Sequence, residues 1–428
     1  MIKIVSATPE ERRAFIAQLK ARAGTPDPKV EARVRAIIQK VEAGGDQAVI
    51  DFSRQFDGWS PERLEMGREE MEALAAGCNV DFLAALDRAA KNIYDFHTRQ
   101  KQQSRIDPAP SGVITGQRVR GLHRAGVYVP GGTAGYPSSV LMNIIPAKVA
   151  GVGEIVMATP PGRAGRPDPN IMAAALAAGV DRVFLMGGAQ AVAALAFGTE
   201  SVPKVDKIVG PGNIYVATAK KQLYGVVDID MIAGPSEILI IADSGANPEF
   251  LAADLMSQAE HDPMASAVLI TDNMEIAENT VKALYRQLES LSRREIIEKA
   301  LEDFGAVIVC AGMDEAVGFA NQLAPEHLEV CCRNPFDYLG RLDNAGSVFL
   351  GDYSPEPLGD YYAGANHVLP TGGTARFFSP LSVDDFVKKS SFIYYPQSKL
   401  LEAAQDIILL AETEELTAHA NSIRVRQN

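Results

Sequence analysis

Cysteine is scarce and badly placed for either a metal or a disulfide frame. In 428 residues only Cys78, Cys310, Cys331 and Cys332 occur, with no CxxC pair and two of them adjacent. That excludes a cysteine-built zinc site and a stapled secreted scaffold, and it fits reduced, buried thiols in a cytoplasmic protein. Long apolar runs are missing too: the nearest, NIMAAALAAGVDRVFLMGG, is cut by Asp181 and Arg182, so no membrane span is expected. The opening MIKIVSATPEERR lacks the apolar core of a signal peptide. No long basic run appears and the formal charge is −13, which argues against a nucleic-acid partner. Histidine is also rare, with six in all. Any metal must therefore be held by His, Asp, Glu or amide oxygens.

What is present is ordinary globular composition at a length suited to more than one domain. Residues 1–126 read as a helix-rich region joined to a first α/β domain: ERRAFIAQLKARA, VRAIIQKVEAGG and DFLAALDRAAKNIYDFHTRQ have apolar positions three and four apart. From there short apolar, β-branched runs (AGVYVP, GEIVMATP, DRVFLMGG, KIVGPG, EILIIAD, AVLITD, AVIVC, HLEVCC, GSVFLG) alternate with helical stretches. Such alternation predicts parallel sheets covered on both faces. The run count predicts two doubly wound, Rossmann-like but incomplete α/β domains, over 127–233 and 234–381, with Gly/Pro seams near 127 and at GPSE. Residues 382–428 read as a helical C-terminal tail with a break near Thr413.

Four histidines, His261, His327, His367 and His419, lie in the last two-fifths of the chain, beside carboxylates or among loop residues. In DLMSQAEHDP, Gln258 and His261 stack on one face of a last helical turn before Pro263. Taken alone, a solvated helix end is the plainer reading, and half a metal site is the sharper one. Glu326 and His327, in APEHLEV, suit acid–base work if a turn at Pro325 aims both into one cleft; an exposed strand entry is the plainer reading. Asp360, in PLGDYYAG, falls on a predicted loop open to a cation, although Asp favours turns for other reasons. Glu414 and His419 are five apart, so on an unbroken helix they point away from each other. Nucleotide binding is weakly signalled: VYVPGG (127–132), GGAQA (187–191) and GPGN (210–213) put glycines directly after strand-like runs, where bare amides can receive phosphate. Tight turns need the same glycines.

Read together, GVYVPGG, GGAQAVAALAFGT, KIVGPGNIYVATAKK, AGPSEILIIAD, DLMSQAEHDP, LAPEHLE, GDYSPEPLGDYYAGANHVLPTGGTARFFSPLSVDDF and LTAHANSI resemble the histidinol dehydrogenase family. The resemblance implies oxidation of L-histidinol through L-histidinal to L-histidine, with NAD accepting hydride twice. It implies one zinc ion held at Gln258, His261, Asp360 and His419, with Glu326 and His327 as catalytic residues. Ser236, His367 and Glu414 match further substrate-contacting positions, beside Gln258, His261, His327, Asp360 and His419. Tyr128, Gln190 and Asn213 match NAD-contacting positions. A homodimer is implied as well, in which Glu414 and His419 of the tail complete the other subunit's site. Without the resemblance, a zinc-dependent hydrolase using Glu326 and His327 leads, and an idle NAD- or metal-binding regulatory protein is the rival from another class.

Overall fold

A computed structural model describes residues 2–6, 8–22, 27–59, 61–131, 135–162 and 165–427. Among them two six-stranded sheets organise the chain. The first runs from edge to edge as Glu65–Met66, Arg182–Leu185, Glu154–Thr159, Arg124–Tyr128, Lys207–Val209 and Asp228–Ile229. Its pairings are parallel except at the Glu65–Met66 edge. The second runs Lys3–Ser6, Gly305–Val309, Ser266–Thr271, Glu237–Ala242, His327–Cys331 and Ser347–Leu350, parallel throughout. In each sheet the winding starts at a central strand, Arg124–Tyr128 or Glu237–Ala242, proceeds to one side and then returns to the other. Both are therefore doubly wound, as the alternating pattern predicts.

The local reasons are readable. EILIIA and SAVLIT are buried at every position, because helices cover both faces of their sheet. Val127, Ile155, Met157 and Val183 face one layer of the first sheet, and Val156, Phe184 and Ile208 face the other. The helix Pro248–Ala259 starts where Asn247 accepts the Glu249 N–H and Pro248 occupies a position needing no donor. Pro137–Ala150 ends at Gly151, whose φ of 77° closes the helix.

Two features depart from the sequence expectation. The strand Lys3–Ser6 pairs with Gly305–Val309, so the start of the 1–126 region belongs to the second sheet, and Phe15 and Ile16 of helix Pro9–Arg22 pack there too. The tail from 382 is not wholly helical: Val387–Tyr394 pairs antiparallel with Ile114–Gly121, which also pairs with Arg105–Pro108 in a third sheet. These strands mix charged and polar residues on both faces and are mostly exposed, so neither an apolar run nor an alternation marks them. Only after them come the helices Gln397–Thr413 and Thr417–Arg424, parted where Glu415 adopts a φ of 61°. Among the described residues no helix is long and apolar enough to cross a membrane.

Candidate active site

His327 opens the strand His327–Cys331, and Glu326 precedes it, at the amino end of the second sheet. Both are buried. Parallel pairing sets Ile238 beside His327, which brings the backbone N–H and carbonyl of Glu237 to the two side chains. The Glu237 N–H donates to Glu326 Oε2 at 2.9 Å, and the Glu237 carbonyl lies 3.0 Å from His327 Nδ1. A carbonyl only accepts, so Nδ1 carries the proton and Nε2 is the ring atom left for chemistry. Nε2 is buried with no hydrogen-bond partner among the described residues. It lies 3.8 Å from Asp360 Oδ1 and 3.9 Å from Glu356 Oε1.

Electrostatics follow from that crowding. Burial lifts the Glu326 carboxyl to about 7, against the pull of His327 and with the push of Glu237. Burial pulls His327 down, but the carboxylates Glu326, Asp360 and Glu356 outweigh it and raise the imidazole to about 10. Glu356 is raised by burial and then by the charge of Asp360. For Asp360 burial works upward, yet contact with His327 and the nearby His367 hold its carboxyl below the usual range. One proton-rich, carboxylate-lined cleft results.

Asp360 does not sit on an open loop, as its setting in PLGDYYAG suggests, but in the short helix Glu356–Tyr361, which Pro357 helps to start. That helix brings Glu356 and Asp360 onto one face, four apart. His367 Nδ1 lies 3.2 Å from the Asp360 carbonyl and 3.8 Å from its Oδ1. Gln258 stands in the last turn of Pro248–Ala259, 1% exposed, and its Oε1 has no hydrogen-bond partner among the described residues. His261 lies just past the helix, in a turn closed by its N–H on the Gln258 carbonyl, within the field of Asp360 and His327. Ser236 is half-buried immediately before Glu237. His327, Glu356 and Asp360 present ligand atoms within 4.8 Å of one another.

The first sheet meets this cleft with its carboxyl edge. Ser139, in the first turn of Pro137–Ala150, lies 3.5 Å from His367 Nε2. Tyr128 ends the strand Arg124–Tyr128, and its buried hydroxyl accepts the Gly188 N–H at 3.0 Å. Gln190 is buried in the first turn of Gly188–Phe197. Asn213 is exposed and caps Ile214–Leu223 through its Oδ1. All three stand at the carboxyl ends of strands of one sheet, where parallel sheets take nucleotides. Gly132, the last residue of VYVPGG, lies outside the described residues. Glu414 caps the helix Gln397–Thr413 and His419 lies on Thr417–Arg424; both are exposed, and no hydrogen bond or ion pair joins either to His327 or Asp360 among the described residues.

Sequence reasoning passes over Glu356, Ser139, Glu237 and Arg22. Glu356 lies in SPEPLGD, which reads as loop; two prolines around one glutamate are the only hint of a short capped helix.

A family profile described as histidinol dehydrogenase matches residues 20–427. A histidinol dehydrogenase of Clostridium acetobutylicum is 53% identical over 426 residues, spanning 100% of this chain and 99% of that protein. Another, of Caldanaerobacter subterraneus subsp. tengcongensis, is 54% identical over 428 residues, with 100% and 99% covered. The crystal structure of a histidinol dehydrogenase from Elizabethkingia anophelis superposes with a TM-score of 0.94 at 37% identity, covering 100% of this chain and 98% of that one.

Proposed function

The chain belongs to the histidinol dehydrogenase family, as an oxidoreductase of histidine biosynthesis, and we propose that it carries L-histidinol through L-histidinal to L-histidine in two NAD-linked oxidations. The supporting observation is the state of His327: one ring nitrogen fastened to the Glu237 carbonyl, the other buried and unpartnered in a cleft between the two sheets.

In this reading His327 Nε2 takes the hydroxyl proton of the alcohol as hydride leaves the carbinol carbon. Glu326, anchored through Oε2 and raised to about 7, takes a proton from the water that adds to the aldehyde, before the second hydride leaves. Nicotinamide dinucleotide accepts both hydrides, and Tyr128, Gln190 and Asn213 at the carboxyl edge of the first sheet are the residues proposed to hold it.

A zinc-type ion fits the donor set. Gln258 Oε1 is a buried acceptor with no partner, one turn from His261 and in company with Asp360. Two imidazoles, one amide oxygen and one carboxylate suit such an ion, with His419 of a second copy as the remaining imidazole. When bound, it would supply a Lewis acid that grips the amine and imidazole of the substrate. A cation held there would offset the Asp360 charge, one of the carboxylates that raise His327. Ser236, His367 and Glu414 are proposed to contact the substrate. The working unit is proposed to be a cytoplasmic homodimer.

The direct test is nicotinamide absorbance on mixing the protein with L-histidinol and NAD⁺. Two NADH for each histidinol are expected, lost on chelation and restored by zinc. A hydrolase built on Glu326 and His327 would turn over without nicotinamide, and an idle binding protein would yield no product. One NADH with histidinal accumulating would remove the two-step assignment.

A further inference from the structure

Glu237 is neither catalytic residue, yet its backbone fixes both. Its N–H holds Glu326 Oε2 and its carbonyl holds His327 Nδ1. Glu237 opens the strand Glu237–Ala242, so its backbone is free of the sheet's own ladder on one side and needs another restraint. The restraint is its side chain. The Glu237 carboxylate is ion-paired with Arg22 and accepts the Gly372 N–H. Arg22 also donates to the Met264 carbonyl at 2.6 Å and to the Ser236 carbonyl at 3.3 Å, and its side chain is wholly buried. The guanidinium stands over the Phe304 ring at 5.6 Å. Arg22 comes from the end of helix Pro9–Arg22, in the segment that joins the second sheet through Lys3–Ser6.

We propose that Arg22 and Glu237 are positioning residues for the acid–base pair: the N-terminal segment delivers a buried guanidinium that locks Glu237, and the two peptides flanking that residue set the carboxylate of Glu326 and the tautomer of His327. The inference rests on the assignment of Glu326 and His327 above. A merely structural role is the competing account, since a buried ion pair that loses one member leaves an uncompensated charge and destabilises any fold. The two accounts part on what else changes. A fastening pair alters stability alone. A positioning pair alters turnover and the His327 tautomer as well; neither Arg22 nor Glu237 hydrogen-bonds to Gln258, His261 or Asp360 among the described residues, and the one link to a proposed substrate contact is the Arg22 bond to the Ser236 carbonyl.

The test uses the zinc-loaded full chain and three variants: Arg22→Met, Arg22→Lys, and the double replacement Arg22→Met with Glu237→Leu. The double variant substitutes an apolar pair for the ionic one and restores folding where Arg22→Met alone does not. The expected result is a 10- to 100-fold fall in kcat for Arg22→Met and for the double variant, larger than any change in KM for L-histidinol, with partial recovery in Arg22→Lys. Nitrogen NMR of the His327 ring supplies a readout independent of turnover: the parent shows Nδ1 protonated, and Arg22→Met and the double variant show mixed tautomers. A double variant with parental kcat and a parental His327 tautomer would overturn the inference and leave the pair a fastener. A parent that forms no NADH from L-histidinol would refute the reaction while the ring nitrogens still decide the role of Arg22.

Discussion

Lys220 and Asp230 clasp the backbone of Gly210 from both sides. Lys220 Nζ donates to the Gly210 carbonyl at 2.9 Å, and Asp230 Oδ2 accepts the Gly210 N–H at 2.8 Å. The two side chains are also ion-paired with each other, 5% and 2% exposed. Gly210 has a φ of 114°, and a Cβ there would stand 2.1 Å from the Tyr128 carbonyl oxygen. The buried pair therefore holds the GPGN turn against the central strand, at the switch point of the first sheet.

Lys220→Met should cost about 3–5 kcal/mol of stability, because it strands the Asp230 carboxylate in the interior. If the GPGN turn serves the dinucleotide, the variant also raises KM for NAD⁺ and leaves KM for L-histidinol alone. Chemical denaturation and steady-state kinetics read the two effects separately; a matched rise in both KM values would detach the turn from the cofactor.

The raised carboxyl of Glu326 has a signature in stability. Its pKa in the folded chain is about 7 against 4.5 for the free side chain, so the folded state binds the proton more tightly. The stabilising contribution is complete below about 4.5 and is lost as pH rises through about 7. Glu326→Gln, which cannot ionise, should thus be more stable than the metal-free parent at pH above 7, by an amount on the order of 3 kcal/mol. Thermal melts across this window check it, and equal melting temperatures at every pH would contradict the shift. In kinetics the same variant should mainly lose the aldehyde step and still oxidise histidinol at early times.

Gln258 separates metal from fold. Its Oε1 is buried with no partner among the described residues, and an unsatisfied acceptor is a burden to the empty site. Gln258→Leu should leave the metal-free chain as stable or up to about 2 kcal/mol more stable. It should also weaken zinc binding by 10- to 100-fold or more, read by competition with a chelating dye. Lost stability with unchanged zinc affinity would mean that the amide serves packing instead.

What the sequence revealed and what it hid divide along physical lines. Continuous apolar runs such as EILIIA and HLEVC announce buried parallel strands by themselves, so both sheets were legible. Long motifs such as DLMSQAEHDP and LAPEHLE named Gln258, His261, Glu326 and His327. Glu356 was hidden because a loop-like composition gives no period to its short helix. KIVS is too short to read as a strand until Gly305–Val309 is beside it, and a partner some three hundred positions away leaves no local trace. Arg22 was hidden for the same reason: nothing near it in sequence says that it will be buried against Glu237.

The tail poses the last question of composition. Helices Gln397–Thr413 and Thr417–Arg424 pack on each other around Ile408, Ala411 and Ala420, which is too little apolar surface to hold a hairpin by itself. Leu409 and Leu410 are 65% and 67% exposed, and Leu416 and Val425 are exposed beside them. Next to the tail, Ile393 of the antiparallel sheet is 73% exposed. Exposed apolar residues gathered in this way suit a surface that binds another molecule, and a second copy of the chain is the occupant proposed above. His419 rides on the exposed hairpin, and the proposed ligands Gln258, His261 and Asp360 lie in the body. If the tail of one copy completes the other's site, a His261→Ala chain and a His419→Ala chain, each inactive alone, should regain activity when co-assembled. A mixed dimer then holds one site with both lesions and one with neither. An equal mixture at random pairing should show about a quarter of the parental activity. Titrating one variant against the other gives the expected curve, and a mixture as inactive as its components would show that each tail serves its own body.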